Sequence, residues 1–477
     1  MGHWRQPVLL FILLKKPQKM NDFSSFLAVF FYGLMSQSPN RIGLHATENV
    51  LSFFVGKKPR RSVALLPENG LMKRKGVKGD ETMNNFTFHV TTDIRFGKDR
   101  LNELPEVLNT FGKNVLLVYG GGSIKKNGLY DAVMAQLTAN GNQVTELTGV
   151  DPNPRIETVR QGAALCRSET IDVILAVGGG SVIDCSKVIA GAACSEQEPW
   201  DLVLSRSYQG PAIPLVTILT LAATGSEMNR GAVISNLETK QKLGVHGPEF
   251  LPKVSFLDPT TTFSVSRYQT AAGSADIMSH LIENYFSKTE GTDVQDGVAE
   301  GLLKAVIKNL PIALNAPTDY DARANLMWAS TLALNGLTGS GKGGAWSCHA
   351  MEHELSAFYD ITHGIGLAIL TPRWMLHVLN EETAPKFARF AREVFGVQEA
   401  VPELAARMGI QKLYDFFASC DIPMTLPEVG IADDTHFAEM AAQAVQFSSI
   451  ATNAYVPLQE EDVIAIYQDS LTPSTYL

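Results

Sequence analysis

Two hydrophobic patterns divide the chain. Between residues 113 and 258, short apolar runs rich in β-branched residues recur: KNVLLVYGGGS at 113–123, QVTELTGV at 143–150, DVILAVGGGS at 172–181, then IPLVTILT, GAVIS and VSFLD. Stretches of helical spacing, NGLYDAVMAQLTANG and RIETVRQGAALCRSE, separate the first three, and VIDCSKVIAGAAC follows the third. Strand alternating with helix predicts a parallel sheet covered on both faces. After residue 264 the period changes. RYQTAAGSADIMSHLIENYFS, QDGVAEGLLKAVIKNLPIALN, YDARANLMWASTLALNGL and APKFARFAREVFG set apolar residues at i, i+3 and i+4 with alanine between them, which predicts helices without intervening strands. The expected fold class is therefore α/β: a parallel-sheet domain over 83–264, then an all-helical domain over 265–477, with a ligand cleft at their junction.

Residues 1–82 lack this regularity. PVLLFILL is too short to span a bilayer, and although FLAVFFYGLM follows it, no small-residue cleavage site comes after the first run and its basic residues lie on the wrong side for a secretory signal. From residue 41 to 82 the chain is polar, basic and aperiodic. This stretch is expected to be a poorly structured extension outside the native fold, with synthesis beginning at Met83; the competing reading is an anchor or targeting tail. No membrane association is expected of 83–477.

A length of 477 residues, 45% of them apolar and 19% charged, suits a globular enzyme of two domains. The formal charge of −9 and the lack of a basic stripe argue against nucleic acid as a partner. Five cysteines without a C-x-x-C pair read as reduced thiols, hence a cytoplasmic protein.

Candidate chemistry begins at the glycine turns. Gly178, Gly179, Gly180 and Ser181 follow an apolar strand and open a helix, so their backbone N–H groups would face an anion such as a pyrophosphate. Asp184 is placed to tie that loop down. The sheet is thus read as Rossmann-like, and its cofactor as a dinucleotide. The earlier turn, Gly120, Gly121, Gly122 and Ser123 with Lys125 and Lys126, carries no carboxylate to hold a ribose and repel a 2′-phosphate, so NADP(H) is expected in preference to NAD(H).

Histidines supply the second theme. Asp276 and His280 stand at i and i+4, as do His349 and His353, and His363 follows where a helix would begin. One carboxylate and several imidazoles, with no thiolate, suit one divalent Fe or Zn ion. His349-Ala-Met-Glu-His353 also fits H-x-x-E-H, a zinc-peptidase signature in which Glu352 would be the base. That alternative gives no role to Asp276, His280 or the glycine turns.

From 83 to 466 the chain resembles the iron-containing, group III alcohol dehydrogenases, and within them the NADPH-dependent aldehyde reductase or butanol dehydrogenase branch. The motifs that carry the likeness are FGK at Phe96, YGGGSIKKNG, PNP at Pro152, AVGGGSVID, TLAATGSE, GAVIS, LDP and DIMSH, together with the paired-histidine segment. The resemblance implies the dehydroquinate synthase-like fold of that family. It implies Asp276, His280, His349 and His363 as metal ligands, with His353 close to the nicotinamide as a proton relay. Gly179, Gly180 and Ser181 match the pyrophosphate loop, Thr220, Asn229 and Lys242 match further cofactor contacts, and Thr224 to Glu227 match the cleft floor. Gly121 sits where NAD-preferring relatives carry aspartate. The activity implied is metal-dependent hydride transfer between a nicotinamide and a short or medium-chain aldehyde or primary alcohol, in a cytoplasmic homodimer. Glycerol dehydrogenase-like or dehydroquinate synthase-like chemistry on the same fold, and a cofactor-binding protein without turnover, are the other readings.

Overall fold

The structure, a computed structural model, describes residues 82–474. Apart from Thr82, the extension expected over 1–82 lies outside the described residues. Among them, the apolar runs form strands β1 (Asp93–Phe96), β2 (Asn114–Tyr119), β3 (Gln143–Leu147), β4 (Val173–Gly178), β5 (Leu215–Leu219), β6 (Gly231–Asn236), β7 (Gln241–His246) and β8 (Val254–Leu257). Six of these make one sheet in the order β1-β8-β5-β4-β2-β3 with every neighbouring pair parallel, while β6 and β7 form an antiparallel hairpin. The central runs are continuously apolar because both faces are covered. Ile174 and Ala176 of β4 pack with Val159 and Ile183 on one side, whereas Val173, Leu175 and Val177 pack with Val133 and Leu137 on the other.

The covering helices are α1 (Leu129–Ala139), α2 (Ile156–Ser168) and α3 (Gly180–Ala193). The chain leaves β2 outward to β3, then returns to place β4 on the other side of β2. That reversal is a topological switch point, and the crevice it opens lies at the carboxyl ends of β2 and β4. Both glycine turns stand there. Strands β1 and β7 carry little hydrophobic signal. DIRF forms an edge strand with no buried residue, and QKLGVH is a strand through its pairing with β6 while burying the charged Lys242.

From Arg267 onward the structure is helical, through α4 (Arg267–Tyr285), α5 (Asp293–Asn315), α6 (Tyr320–Leu334), α7 (Ser347–Tyr359), α8 (His363–His377), α9 (Ala384–Phe395), α10 (Pro402–Ser419), α11 (Phe437–Phe447) and α12 (Glu460–Asp469). Helix α4 begins at a Ser266 cap that accepts the Gln269 N–H, and it is buried from Thr270 to Glu283. It is an all-round buried helix at the centre of the helical core rather than an amphipathic surface one. Helix α8 starts against α4. At Gly364 a methyl group would collide with the Ala272 carbonyl oxygen, so only glycine lets the two backbones meet.

Polar contacts stitch the helical half to the α/β half. Asn153 Nδ2 donates to Asp360 Oδ1 at 3.0 Å and Arg155 pairs with the same carboxylate at 2.7 Å. The Thr331 hydroxyl of α6 donates to the buried Glu227 at 2.5 Å. All five cysteines are free thiols, and no described helix is long and apolar enough to cross a membrane.

Candidate active site

Helices α4, α7 and α8 bring four of the predicted residues to one point. His280 Nε2 lies 3.5 Å from Asp276 Oδ1, His349 Nε2 lies 3.9 Å from it and His363 Nε2 3.8 Å. The ligand atoms of Asp276, His349 and His363 are all within 4.8 Å of one another. This spacing is too wide for direct hydrogen bonds. Asp276 Oδ1 and His349 Nε2 are buried without a hydrogen-bond partner, which is costly unless something else satisfies them. A cation at their centre would do so. Burial pushes the Asp276 carboxyl up to about 7, a rise enlarged by the Glu352 carboxylate and opposed by His349. Burial likewise holds His280 and His363 well below the usual imidazole range, so each offers a neutral lone pair. One oxygen and three ring nitrogens, converging and two of them buried without a partner, fit a divalent first-row ion.

Two further carboxylates aim the rings. Glu283, one turn beyond His280 on α4, accepts His349 Nδ1–H and also the backbone N–H groups of Cys348 and His349, at 2.7 and 3.0 Å. Those N–H groups belong to the first turn of α7, whose N-terminal dipole favours the negative charge. Burial works against a charged His349, but the Glu283 carboxylate prevails and raises its pKa. Glu352 accepts from His363 Nδ1 and from the Ser356 hydroxyl. In both pairs the Nδ1 proton is committed, which leaves Nε2 facing Asp276. His280 has no such partner, its Nδ1 being buried and unpaired.

The H-x-x-E-H reading meets a different arrangement. Glu352, His353 and His363 do offer donor atoms within 4.8 Å of one another. However, the Lys242 ammonium from β7 stands 3.2 Å from Glu352 Oε2 and 3.2 Å from His363 Nδ1. Glu352 is thus engaged with Lys242, Ser356 and His363, and His349 turns its free nitrogen to Asp276. His353 lines the cavity with its ring centre 5.7 Å from that of His363, and burial keeps its pKa well below the usual range.

The cluster of Asp276 and the histidines opens into a cleft of about 1520 Å³ that runs to the carboxyl ends of β2 and β4. This exceeds the roughly 300–1,000 Å³ of an ordinary small-ligand pocket and leaves room for a dinucleotide beside a substrate. Gly121, Ser123, Gly179, Gly180, Ser181, Asp184, Thr220, Thr224, Asn229 and Lys242 line it, together with Asp276, His280, His349, His353 and His363. Gly120, Gly122 and Gly178 are not on the wall. Gly178 closes β4, its carbonyl accepting the Thr220 N–H at 3.0 Å, and Gly122 adopts a left-handed φ of 97° that lets the turn close. At Gly180 a methyl group would overlap the Thr224 side chain.

Several of the expected residues also have partners within the protein. Asp184 does not tie down its own glycine loop; it accepts the Ser226 hydroxyl at 2.5 Å and the Val233 N–H at 2.9 Å, fixing the cleft floor and β6 instead. The Asn229 side chain accepts the buried Lys187 ammonium and the Gly231 N–H, both at 2.9 Å. Lys125 leans over the rings of Tyr119 and Tyr130, and neither it nor Lys126 lines the cleft. A carboxylate that the turn itself lacks, Asp151, does line the cleft, just after Val150 whose carbonyl faces Gly120. Glu283 escaped the sequence reading altogether; its one signal was a glutamate three residues after His280, one turn on along the same helix. Trp346 escaped it too, although its ring sits 4.9 Å from that of His349 and on the cleft wall.

Comparison with known proteins agrees with this geometry. Residues 91–259 match the family model described as iron-containing alcohol dehydrogenase, and 270–471 match the C-terminal model of the Fe-containing alcohol dehydrogenase family. The NADH-dependent butanol dehydrogenase A of Clostridium acetobutylicum is 50% identical over 81% of this chain and 100% of its own length. The NADPH-dependent aldehyde reductase YqhD of Escherichia coli is 38% identical over 73% of this chain and 90% of its own. Among solved structures, an NADH-dependent butanol dehydrogenase A from Thermotoga maritima superposes with a TM-score of 0.78 at 37% identity, covering 82% of this chain and 100% of that one. The chain belongs to the iron-containing alcohol dehydrogenase family, and its chemistry is that of an alcohol or aldehyde oxidoreductase.

Proposed function

We propose that the protein interconverts short or medium-chain aldehydes and primary alcohols, using one divalent ion, Fe or Zn, held by Asp276, His280, His349 and His363, and a nicotinamide dinucleotide laid along the glycine turns. The observation that carries this reading is the convergence of those four donor atoms, two of them buried and unpaired, on the wall of the cleft that also holds Gly179–Ser181. When bound, the ion supplies a Lewis acid for the carbonyl oxygen and the nicotinamide supplies the hydride. The chain does the rest. Burial of Asp276 and the imidazoles gives a site of low dielectric, in which charge developing on oxygen is stabilised more than in water. Glu283 and Glu352 hold two of the rings in one tautomer, so no reorganisation is needed during turnover. The substrate oxygen also needs a proton on reduction. His353, kept neutral by burial and open to the cavity, is placed to relay it from solvent.

For the cofactor we infer NADP(H). At Gly121 nothing stands within 4 Å of where a side chain would begin, and Ser123 lines the same end, so a 2′-phosphate meets open space and a hydroxyl. A second reading, NAD(H), is favoured by Asp151 on that wall and by the cofactor named for the Clostridium relative. The test is to purify the protein and follow nicotinamide absorbance with butanal, with NADPH and NADH in parallel, before and after chelation and metal return. Turnover lost on chelation and restored by Fe²⁺ or Zn²⁺ supports the proposal; turnover that survives complete metal removal ends it. The ratio of kcat/KM for the two cofactors decides between them. Assembly as a homodimer, implied by family resemblance, is read by sedimentation.

A further inference from the structure

The cluster Glu352, His353 and His363 is a second place where a cation could sit, and it shares a histidine with the first. His363 turns Nε2 to Asp276 and Nδ1 to Glu352. A divalent ion there would draw on Glu352, His353 and that second nitrogen of His363. The donor set would accept such an ion: a fully buried carboxylate and two imidazoles, with donor atoms within 4.8 Å of one another. What the structure holds there is the ammonium of Lys242, 3.2 Å from Glu352 Oε2 and 3.2 Å from His363 Nδ1. Lys242 is itself buried, at 4% exposure, and reaches α7 and α8 from β7 in the other half of the molecule.

We propose that Lys242 is a positioning residue that acts as a tethered cation: its ammonium fills the ion position of the Glu352–His353–His363 cluster and keeps a second divalent ion out. The inference rests on the metal-binding reading of the first site. An ammonium has three donors and no lone pair, so it neutralises Glu352 without competing as a ligand. Being covalently attached, it is present whatever the metal supply. With the second position filled, His363 stays turned with Nδ1 to Glu352 and Nε2 to Asp276. Removing the ammonium leaves Glu352 buried and uncompensated, a state that favours capture of another cation.

The test uses full-length protein stripped by chelator and titrated with Zn²⁺ alone, without nicotinamide or substrate, and bound metal is counted after gel filtration. Wild type is expected to retain one Zn²⁺ per chain, K242A and K242Q two, and K242R one. Adding H353A to K242A is expected to return the count to one. Circular dichroism shows which variants are folded; K242Q keeps a hydrogen-bonding side chain of similar reach should K242A not fold. If folded K242A or K242Q binds the same number of ions as wild type, or if the extra ion persists in K242A/H353A, the inference is overturned. The two readings separate, because a wild type that takes up no Zn²⁺ sinks the first site, whereas the role of Lys242 is judged by the difference of one ion between wild type and variant.

Discussion

The two walls of the cleft are built from different materials. The α/β wall carries the glycines at 121, 179 and 180 and the start of α3, with side chains such as Asp184 and Asn229 bracing the floor. The helical wall presents side chains from α4, α7 and α8 whose polar atoms converge on one point. A wall of glycine turns is generic for phosphates and is damaged by adding atoms. A wall of oriented side chains is specific for one ion and is damaged by removing or turning them. Variants on the two sides should therefore fail in separable ways.

The largest effect is expected on the helical wall. Asp276→Ala removes the one anionic donor of the proposed ion site, and with it a Lewis acid that would be worth several kcal/mol, so kcat should fall on the order of 10³-fold or more. Cofactor affinity, measured by quenching of protein fluorescence, should stay within roughly threefold because no α/β contact is altered. A large loss of nicotinamide binding in Asp276→Ala would show that the walls are not independent. The converse variant is Gly180→Val. Its side chain meets Thr224, and overpacking of about 1–3 kcal/mol should raise the cofactor Kd by up to about 10²-fold with metal content unchanged.

Orientation should matter less than ligation, and unevenly. Glu283→Gln keeps the shape but weakens the hold on His349 Nδ1 and on the first turn of α7, so metal affinity, read by competition with a chromophoric chelator, should drop about 10- to 100-fold. His280 has no orienting partner to lose. If Glu283→Gln binds metal as tightly as wild type, the aiming of rings by carboxylates is not what distinguishes this wall.

What could be read from sequence follows the same division. Strands β2 and β4 and their glycine turns are local patterns, and burial on both faces makes the runs unmistakably apolar. Asp276 with His280 is local as well, since both sit one turn apart on α4. Glu283 is not. Its partner His349 lies 66 positions on, and helical spacing does not say which buried carboxylate faces a ring on another helix. Nor is Lys242: its ammonium reaches Glu352, 110 positions away, because β7 pairs with β6 and lays the residue against α7. Lys125 shows the opposite case: its charge is legible locally, but the direction it takes is set by Tyr119 and Tyr130 beneath it.

The smallest effect expected is also the one that sharpens the α/β wall. Gly121→Asp adds a carboxylate where the structure has open space, so no steric cost is expected and the change is almost purely electrostatic. Two unit charges 4 Å apart in water repel by about 1 kcal/mol, and salt reduces this at an exposed site. A 2′-phosphate carries between one and two charges, so kcat/KM with NADPH should fall roughly tenfold while that with NADH holds or rises as the new carboxylate reaches the ribose hydroxyls. Because the penalty is Coulombic, it should shrink when the assay is repeated at higher ionic strength. A loss that is equal for both cofactors and indifferent to salt would place the 2′-phosphate elsewhere, leaving Asp151 as the carboxylate that meets the ribose.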